Sequence, residues 1–349
     1  MPYFALTREP GQGWDDSRES ADSGRLLELI FGAVRAKAVY VAAKFGIADE
    51  LADGPLTVDE LARRTEADPE ALYRVMRVLA REGLFEEVEP RTFAVTELGR
   101  LLSEDAPGSR KYDALMFGEH VDRAFAHVLE SVRTGEPSAK RAFGRPYYDW
   151  LTEEPEAAAV FNNAMIVGAR ATLPTLLPLA IWDEAESVVD VGGGNGTVLA
   201  ALLKEHRHLR GSVFDLPHAE KDASERFAAE GVSDRAAFEA GSFFERVPAG
   251  ADVYLAVQVL HNWNDEDAVR ILRHVREATG DDARLLLIEV VVPDDDPAST
   301  ALADLLSFVW LGGKERTKAE WRQLLERTGF RLDGITPGPR VSAIEARPI

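Results

Sequence analysis

The sequence contains no cysteine among its 349 residues. This absence excludes disulfide bonds, thiolate nucleophiles and iron–sulfur clusters, and it removes the usual ligands of a structural zinc ion. The sequence also lacks an evident cluster of carboxylates of the kind that a magnesium-dependent catechol enzyme uses. We therefore expect no bound metal.

Long apolar runs are absent too, since no window approaches the roughly 18 consecutive apolar residues of a membrane span. The strongest apolar run, Leu285 to Val292, is interrupted by Glu289. The first residues, Met1 to Arg25, carry early carboxylates and no apolar segment, so no secretory signal is predicted. We expect a soluble, cytoplasmic protein with no membrane partner.

Basic residues are scarce: 40 lysines and arginines stand against 60 aspartates and glutamates, for a formal net charge of −20. Binding to nucleic acid draws mainly on lysine and arginine that neutralise phosphates. An acidic field also disfavours strongly anionic substrates. We therefore expect no nucleic acid partner, and a neutral or phenolic ligand fits the charge better.

The first hundred residues follow the order of a winged helix, with three helices and then a hairpin. In order, the predicted elements are a loose arm over residues 1–23, an amphipathic helix over 24–45, a short helix opened by Thr57, a helix opened by Asp68 and ending at Gly83, and extended runs over 84–88 and 92–96.

A winged helix serves either to bind DNA or as a packing and dimerisation module. A DNA-reading helix usually exposes arginine, lysine, asparagine or glutamine. The third helix offers Arg74, Arg77 and Arg81 beside two glutamates, so its charge is mixed. Because the whole chain is strongly acidic, we interpret residues 24–100 as a dimerisation domain.

Residues 101–180 predict a helical connector rich in aromatic side chains, and residues 181–349 a separate α/β domain. In the second region, short β-rich runs alternate with helical stretches, which predicts a parallel sheet with helices on both faces. The predicted strands are 187–191, 211–215, 236–239, 252–259 and 284–292, and the predicted helices are 197–206, 220–230 and 266–278.

A glycine-rich turn, Asp190-Val-Gly-Gly-Gly-Asn-Gly196, closes the first of these strands and opens a helix. Glycines let a ligand approach the backbone, and the amino terminus of the helix adds partial positive charge. The dinucleotide fingerprint requires glycine at its sixth position, where this chain has Thr197. The spacing instead resembles the S-adenosylmethionine motif of class I methyltransferases.

Further polar and aromatic residues follow the other strands of the α/β domain. Asp215 ends the second strand, Gly241-Ser-Phe243 follows the third, His261 and Trp263 follow the fourth, and Glu289 lies late in the fifth. Ligands bind at the carboxyl ends of the strands in open α/β sheets. We therefore expect these residues to share one crevice.

The chain resembles the bacterial and plant small-molecule O-methyltransferases over roughly residues 25 to 345. The motifs that carry the resemblance are Asp190 to Gly196, Phe214-Asp-Leu-Pro217, Gly241-Ser-Phe-Phe-Glu245, Val259-Leu-His-Asn-Trp-Asn-Asp-Glu266, Ile288-Glu289, and Gly312-Gly-Lys-Glu-Arg-Thr317. The resemblance implies a class I, Rossmann-like methyltransferase domain behind a winged-helix-like dimerisation domain, a homodimer, S-adenosylmethionine as cofactor and S-adenosylhomocysteine as product.

The resemblance also implies roles for individual residues, with a hydroxyl of a small aromatic secondary metabolite as methyl acceptor. The implied catalytic residues are His261 as general base, flanked by Glu289 and Glu315. The implied cofactor-binding residues are Asp190, Gly192, Gly194, Asp215, Leu216, Gly241, Ser242, Phe243, Val257 and Trp263. The implied substrate-binding residues are Tyr147, Phe161, Met165, Asn262 and Trp310.

Two other functions stay open at this point. Some members of the family keep the cofactor pocket yet catalyse hydroxylation or decarboxylation, generally where the histidine is lost. Because His261 is retained, we favour methyl transfer. A ligand-responsive DNA-binding regulator is the alternative from another class.

Overall fold

The computed structural model describes residues 17–349, with side chains described from Asp22 onward. The chain divides into two compact units, Met1–Ala114 and Leu115–Ile349. Residues 1–16 of the predicted arm lie outside the described residues. The last part of that arm is helical, because the first helix begins at Ser17, earlier than the predicted Gly24.

The first unit has the predicted order of three helices and a hairpin, with small additions. Its elements are α1 (Ser17–Ile30), α2 (Gly32–Lys44), α3 (Ile47–Glu50), β1 (Leu56–Thr57), α4 (Val58–Thr65), α5 (Pro69–Arg81), β2 (Phe85–Glu89), β3 (Thr92–Val95), α6 (Glu97–Arg100) and the start of α7 (Lys111–Met116). The three strands form an antiparallel sheet in the order β1-β3-β2.

Local sequence signals explain these boundaries. Thr57 and Asp68 accept hydrogen bonds from backbone N–H groups at the starts of α4 and α5, as their capping patterns predict. The predicted helix over 24–45 is interrupted at Phe31, just before Gly32, a poor helix former. The single long helix was therefore wrong, and two shorter helices take its place.

The second unit begins with short helices that lead to one long helix. These helices are α8 (Asp122–Phe125), α9 (Val128–Thr134), α10 (Ala139–Phe143), α11 (Tyr147–Glu153), α12 (Pro155–Leu176) and α13 (Ile181–Glu184). The helical character predicted for residues 101–180 is thus present from Leu115 onward in this unit.

An α/β sheet follows in the same unit. Its elements are β4 (Ser187–Val191), α14 (Thr197–Glu205), β5 (Arg210–Asp215), α15 (Glu220–Glu230), β6 (Ala236–Ala240), β7 (Val253–Val257), α16 (Asp265–Ala278), β8 (Arg284–Glu289), β9 (Val291–Val292), α17 (Ala301–Leu311), β10 (Arg316–Thr317), α18 (Lys318–Glu326), β11 (Phe330–Pro337) and β12 (Ser342–Pro348).

The main sheet has seven strands in the order β11-β12-β8-β7-β4-β5-β6. Strands β4 to β8 of this sheet pair in parallel, as predicted. The hairpin β11–β12 joins antiparallel to β8 and was not predicted. Strand order reverses at β4, so the carboxyl ends of β4 and its neighbours form the crevice where ligands bind in such sheets.

Alternate residues of each central strand supply two apolar layers. Val189, Tyr254 and Leu285 belong to one layer, with residues of α16 and α18. Val188 and Leu255 belong to the other, with residues of α14 and α15. Since side chains alternate across a strand, the sheet is covered on both faces, as predicted. No helix among the described residues is long and apolar enough to cross a membrane.

Two predicted strands end early, and both endings matter for the site. The strand predicted over 252–259 ends at Val257, because Gln258 has a positive φ of 51°. The strand predicted over 284–292 ends at Glu289, and after Val290 the residues Val291–Val292 form β9, which pairs with β10 instead. Each break turns the chain at the carboxyl edge of the sheet.

Candidate active site

The glycine-rich turn after β4 has a backbone conformation that glycine adopts more easily than other residues. Gly192 and Gly194 have φ angles of 76° and 54°, in the region that other residues avoid. The N–H of Gly194 donates to the Asp215 carboxylate at 2.7 Å. The turn after β4 is thereby tied to the end of β5, and the α14 helix starts directly behind it.

Two carboxylates lie beneath this turn. The Asp215 carboxylate also accepts from the Leu216 N–H at 2.6 Å, so both of its oxygens bond to the backbone. Asp190 is buried, and neither of its oxygens has a hydrogen-bond partner among the described residues. Burial raises the pKa of Asp190 to about 7, and the charge of Asp215 adds to the increase.

The turn opens into a cavity of about 390 Å³. That volume lies within the range of small-molecule sites. Of the predicted cofactor residues, the cavity wall contains Gly192, Gly194, Asp215, Leu216, Gly241, Ser242, Phe243 and Trp263. Of the predicted substrate residues, it contains Phe161, Met165 and Asn262. Segments far apart in the sequence therefore meet at the carboxyl edge of the sheet, as expected.

Seven predicted site residues are not part of the cavity wall as formed by the residues that the structure describes. They are Asp190, Val257, Tyr147, Trp310, His261, Glu289 and Glu315. Asp190 lies beneath Gly193, where an added Cβ atom would come within 2.5 Å of the Asp190 carboxylate. His261 directly precedes the wall residue Asn262.

An aromatic surface forms one side of the cavity. The Trp263 ring stacks on Tyr148 at 6.1 Å between centroids and contacts Phe244 edge-on at 4.7 Å. Tyr148 and Phe244 were not singled out by the sequence analysis, although Phe244 lies inside a quoted motif and Tyr148 directly follows the predicted substrate residue Tyr147. Aromatic faces of this kind bind flat apolar rings well.

Gln258 is another wall residue that the sequence analysis missed. Its positive φ turns the chain at the end of β7, and its carbonyl accepts from the Asn262 side chain at 3.3 Å. Glutamine carries no local signal for a positive φ, unlike glycine or asparagine. Only the tertiary structure reveals this turn.

His261 lies on a short 3₁₀ turn, Leu260–Asn262, that follows. Its Nδ1 is 3.0 Å from Glu315 Oε1, and Glu315 is nearly inaccessible to solvent. Since a carboxylate only accepts, this contact assigns the hydrogen to Nδ1 and leaves Nε2 as the basic nitrogen. The pairing implied by the family resemblance is thus present in the structure.

Glu289 holds the same turn from the end of β8. Its Oε1 accepts from the N–H groups of Val259 and Leu260 at 3.1 and 2.8 Å. Burial raises the pKa of Glu289 to about 7, and the nearby Glu315 also raises it, while His261 opposes the increase. The carboxyl group therefore stabilises the backbone on which His261 sits.

The environment of His261 favours its charged form. Burial on its own lowers the pKa of His261, but the hydrogen bond to Glu315 and the charges of Glu289 and Glu315 outweigh burial. The pKa of His261 is consequently raised above its ordinary value of 6.5. An imidazole in this setting can accept a proton and be stabilised once it has done so.

Tyr147 and Trp310 belong to a cluster of rings that adjoins the wall residue Phe161. The Tyr147 ring lies 4.7 Å from Trp310 and 5.6 Å from Phe161. Its hydroxyl is 2.8 Å from Nδ1 of the buried His120. Burial lowers the pKa of His120 to about 4, so this ring is neutral near pH 7.

The described residues include no group of three or more histidines and carboxylates arranged to hold a metal ion.

Comparison with known proteins identifies the family of the chain. A family model for the O-methyltransferase domain matches residues 125–331, and one for the O-methyltransferase dimerisation domain matches residues 27–105. The chain belongs to the O-methyltransferase family. Its fold is that of a class I methyltransferase, with a helical dimerisation domain before it.

Curated relatives match along nearly the whole chain. Phenazine O-methyltransferase PhzM of Lysobacter antibioticus is 39% identical over 94% of this chain and 96% of its own length. O-demethylpuromycin-O-methyltransferase of Streptomyces alboniger is 35% identical over 96% and 92%. Aclacinomycin 10-hydroxylase RdmB of Streptomyces purpurascens is 34% identical over 93% and 88%.

Solved structures also match along nearly the whole chain. The crystal structure of LaPhzM superposes with a TM-score of 0.90 at 39% identity, covering 94% of this chain and 99% of that one. The O-methyltransferase NcsB1 from neocarzinostatin biosynthesis, in complex with S-adenosylhomocysteine and 1,4-dihydroxy-2-naphthoic acid, superposes at 0.82 and 34% identity. That match covers 90% of this chain and 96% of the other.

The raised pKa of Glu289 predicts a pH-dependent stability. A carboxyl group whose pKa rises from 4.5 to about 7 on folding stabilises the native state fully below pH 4.5, and this contribution is lost as the pH rises through about 7. We expect the melting temperature of the wild type, relative to Glu289→Gln, to fall over that interval in scanning calorimetry.

Glu205→Gln, which removes an exposed carboxylate from α14, supplies the control for the loss of one negative charge. A constant difference between the wild type and Glu289→Gln would contradict the assignment.

Proposed function

We propose that this enzyme transfers the methyl group of S-adenosylmethionine to a hydroxyl of a small aromatic molecule. The proposal rests mainly on the His261–Glu315 pair. His261 directly precedes Asn262, which lines a cavity formed by the glycine turn and aromatic side chains. The cavity would bind the cofactor and the methyl acceptor, and His261 would accept the proton.

Features of the cavity fit the cofactor. The glycine turn leaves backbone N–H groups at the start of α14. Neither oxygen of the buried Asp190 has a hydrogen-bond partner within residues 17–349, and a polar or cationic group would satisfy them. We assign the nucleoside end of the cofactor to Asp215, Leu216, Gly241, Ser242 and Phe243. Asp190, Gly192, Gly194, Val257 and Trp263 would hold the remainder.

The acceptor would lie against Phe161, Met165 and Asn262, with Tyr147 and Trp310 behind Phe161. These rings suit a flat aromatic molecule, in agreement with the phenazine and naphthoic acid in the names of two related proteins. The chain's strong negative charge favours a phenolic acceptor over a strongly anionic one.

The residues of this chain perform the proton transfer. When bound, the cofactor supplies an activated methyl group. His261 takes the proton of the acceptor hydroxyl at Nε2, because a phenol with a pKa of about 10 is mostly protonated near neutral pH. Glu315 orients the ring through Nδ1 and stabilises the imidazolium, and Glu289 holds the turn and contributes negative charge.

We also propose that the enzyme is a homodimer that functions in the cytoplasm. Residues 27–105 match the dimerisation domain of the family. Within this region, Leu29 and Ile30 of α1 are both 61% exposed, which is unusual for two adjacent large apolar residues. A second copy of the chain would cover them.

Light scattering should find a dimer for the wild type at micromolar concentration. We expect the double substitution of Leu29→Glu and Ile30→Glu to shift it toward monomer, since charges cannot be buried there without partners. Val88→Glu, on an exposed residue of the hairpin, should leave the dimer intact. A wild-type monomer would refute the assembly.

Asp215→Asn tests the cofactor site. The substitution removes a charge that holds the glycine turn, and we expect the affinity for S-adenosylhomocysteine to fall roughly ten- to hundredfold. Isothermal titration calorimetry measures it. Glu239→Gln on the neighbouring strand β6 is the matched control. Equal affinities in Asp215→Asn and wild type would remove Asp215 from the site.

His261→Ala tests the proton acceptor. We expect kcat to fall by about 10²- to 10⁴-fold, measured as release of S-adenosylhomocysteine with a panel of phenols and matched anilines. The wild-type rate should rise with pH through a value above 6.5, because the base must be unprotonated. His274→Ala removes a comparable histidine–glutamate pair on α16 and should change little.

The panel also separates the alternatives. Oxygen uptake or carbon dioxide release without S-adenosylhomocysteine would favour hydroxylation or decarboxylation, as the name of the RdmB relative suggests for that protein. Wild-type turnover by His261→Ala would refute the general base.

A further inference from the structure

Arg316 is a charged residue that the proposed chemistry does not use, yet its side chain is completely buried. A buried guanidinium is costly unless its N–H groups all find acceptors. Its Nη1 donates to the carbonyl oxygens of Leu260 at 3.0 Å and Lys314 at 3.4 Å. Its Nη2 donates to the carbonyl oxygen of Trp263 at 2.8 Å.

Asp265 completes the set of acceptors. Its Oδ1 lies 3.0 Å from Arg316 Nε and 2.9 Å from Nη2. The Asp265 side chain is 46% exposed, but its partner is fully buried, so Asp265 supplies the negative charge that the buried guanidinium needs. The two contacts also fix the plane of the guanidinium, which lies over the Trp321 ring.

Two of the three carbonyls that Arg316 binds, those of Leu260 and Trp263, lie on either side of His261 in the chain. Leu260 begins the 3₁₀ turn Leu260–Asn262, and Trp263 directly follows it. The guanidinium therefore joins the two ends of the turn that carries the histidine. Glu315, the residue before Arg316, binds the imidazole itself at 3.0 Å. Two consecutive residues thus hold the backbone and the ring of His261.

The same segment is joined to Glu289. Arg316 pairs with Val291 in the short parallel ladder of β10 and β9, just after Glu289 ends β8. Glu289 in turn accepts from the amides of Val259 and Leu260. Glu289 therefore binds backbone amides at the start of the turn, and Arg316 binds the carbonyls at its two ends.

We propose that Arg316, oriented by Asp265, is a positioning residue that holds the His261 turn in the geometry needed for proton transfer. The effects that this inference predicts on kcat and on the pH profile rest on the proposed function. Only arginine offers five N–H donors in a rigid plane, so lysine cannot replace all of these bonds.

The groups that surround His261 set the expected pH effect. They are Glu289 from β8, Glu315 before β10, Arg316 on β10 and Asp265 at the start of α16, with Lys314 donating its backbone N–H to the His261 carbonyl. Loss of the guanidinium would release Glu315 from its fixed position. Since the bond to Glu315 raises the pKa of His261, the acidic limb of the rate profile should move to lower pH.

The test compares Arg316→Lys and Arg316→Met with wild type, with Arg276→Met as the matched control. Arg276 also binds three backbone carbonyls, those of Gly329, Thr279 and Ile349, but at the other end of α16. We expect Arg316→Met to lower kcat by about 10- to 100-fold, with the affinity for S-adenosylhomocysteine changed less than threefold. Arg316→Lys should restore part of kcat.

Hydrogen exchange gives a readout that is independent of turnover. Peptides that cover residues 258–264 should exchange faster in Arg316→Met, while peptides of β5 and β6 keep wild-type rates. In Arg276→Met, faster exchange should be confined to the carboxyl end of α16 and its neighbours, with kcat unchanged.

Three results with Arg316→Met would overturn the proposal. The first is an unchanged kcat, and the second is unchanged hydrogen exchange over residues 258–264. The third is a loss of kcat in which the acidic limb does not shift and hydrogen exchange becomes faster throughout the protein. The last result would mean a general loss of stability. If wild type releases no S-adenosylhomocysteine with any acceptor, the proposed function fails, and the exchange data still decide whether Arg316 holds the turn.

Discussion

The structure of the site depends on how the chain is turned at the carboxyl end of β7. The strand stops at Val257, Gln258 takes a positive φ, and the next two amides would be buried without acceptors. Glu289 supplies the acceptor for both. An unpaired buried N–H costs about 1–3 kcal/mol, so this carboxyl group decides whether the turn can exist. With the turn in place, Asn262 and Trp263 reach the cavity wall and His261 meets Glu315.

A consequence of this design is that ionisable groups are concentrated in buried positions. Asp190 and Glu289 both have pKa values raised to about 7, chiefly by burial. Asp190 and its neighbour Asp215 face the glycine turn, whereas Glu289 and Glu315 surround the histidine. The first pair suits a ligand that brings positive or donor groups. The second suits a reaction in which an imidazole becomes charged.

Much of this arrangement could be predicted from residues that carry local signals. The glycine turn, Asp215 and the ends of β4 and β5 follow from periodicity and from the glycines themselves. The link between His261 and Glu315 spans 54 positions and came only from the family resemblance. Gln258 has no sequence signature for its positive φ. The interactions of Arg316 were hidden because most of its acceptors are carbonyls, which every residue has.

The two halves of the site differ in how tightly they are held, and this difference suits methyl transfer to one of many possible acceptors. In the proposed mechanism, Nε2 of His261 must come within hydrogen-bond reach of the reacting hydroxyl, and small displacements are costly. The turn that carries it is accordingly bound by Glu289, Glu315 and Arg316 through contacts of 2.8 to 3.1 Å. The proposed acceptor side consists of rings in edge-to-face contact, whose packing is less directional than hydrogen bonding. If the proposed roles hold, substitutions among these rings alter which aromatic molecule is bound while His261 keeps its position, so specificity and catalysis can change separately.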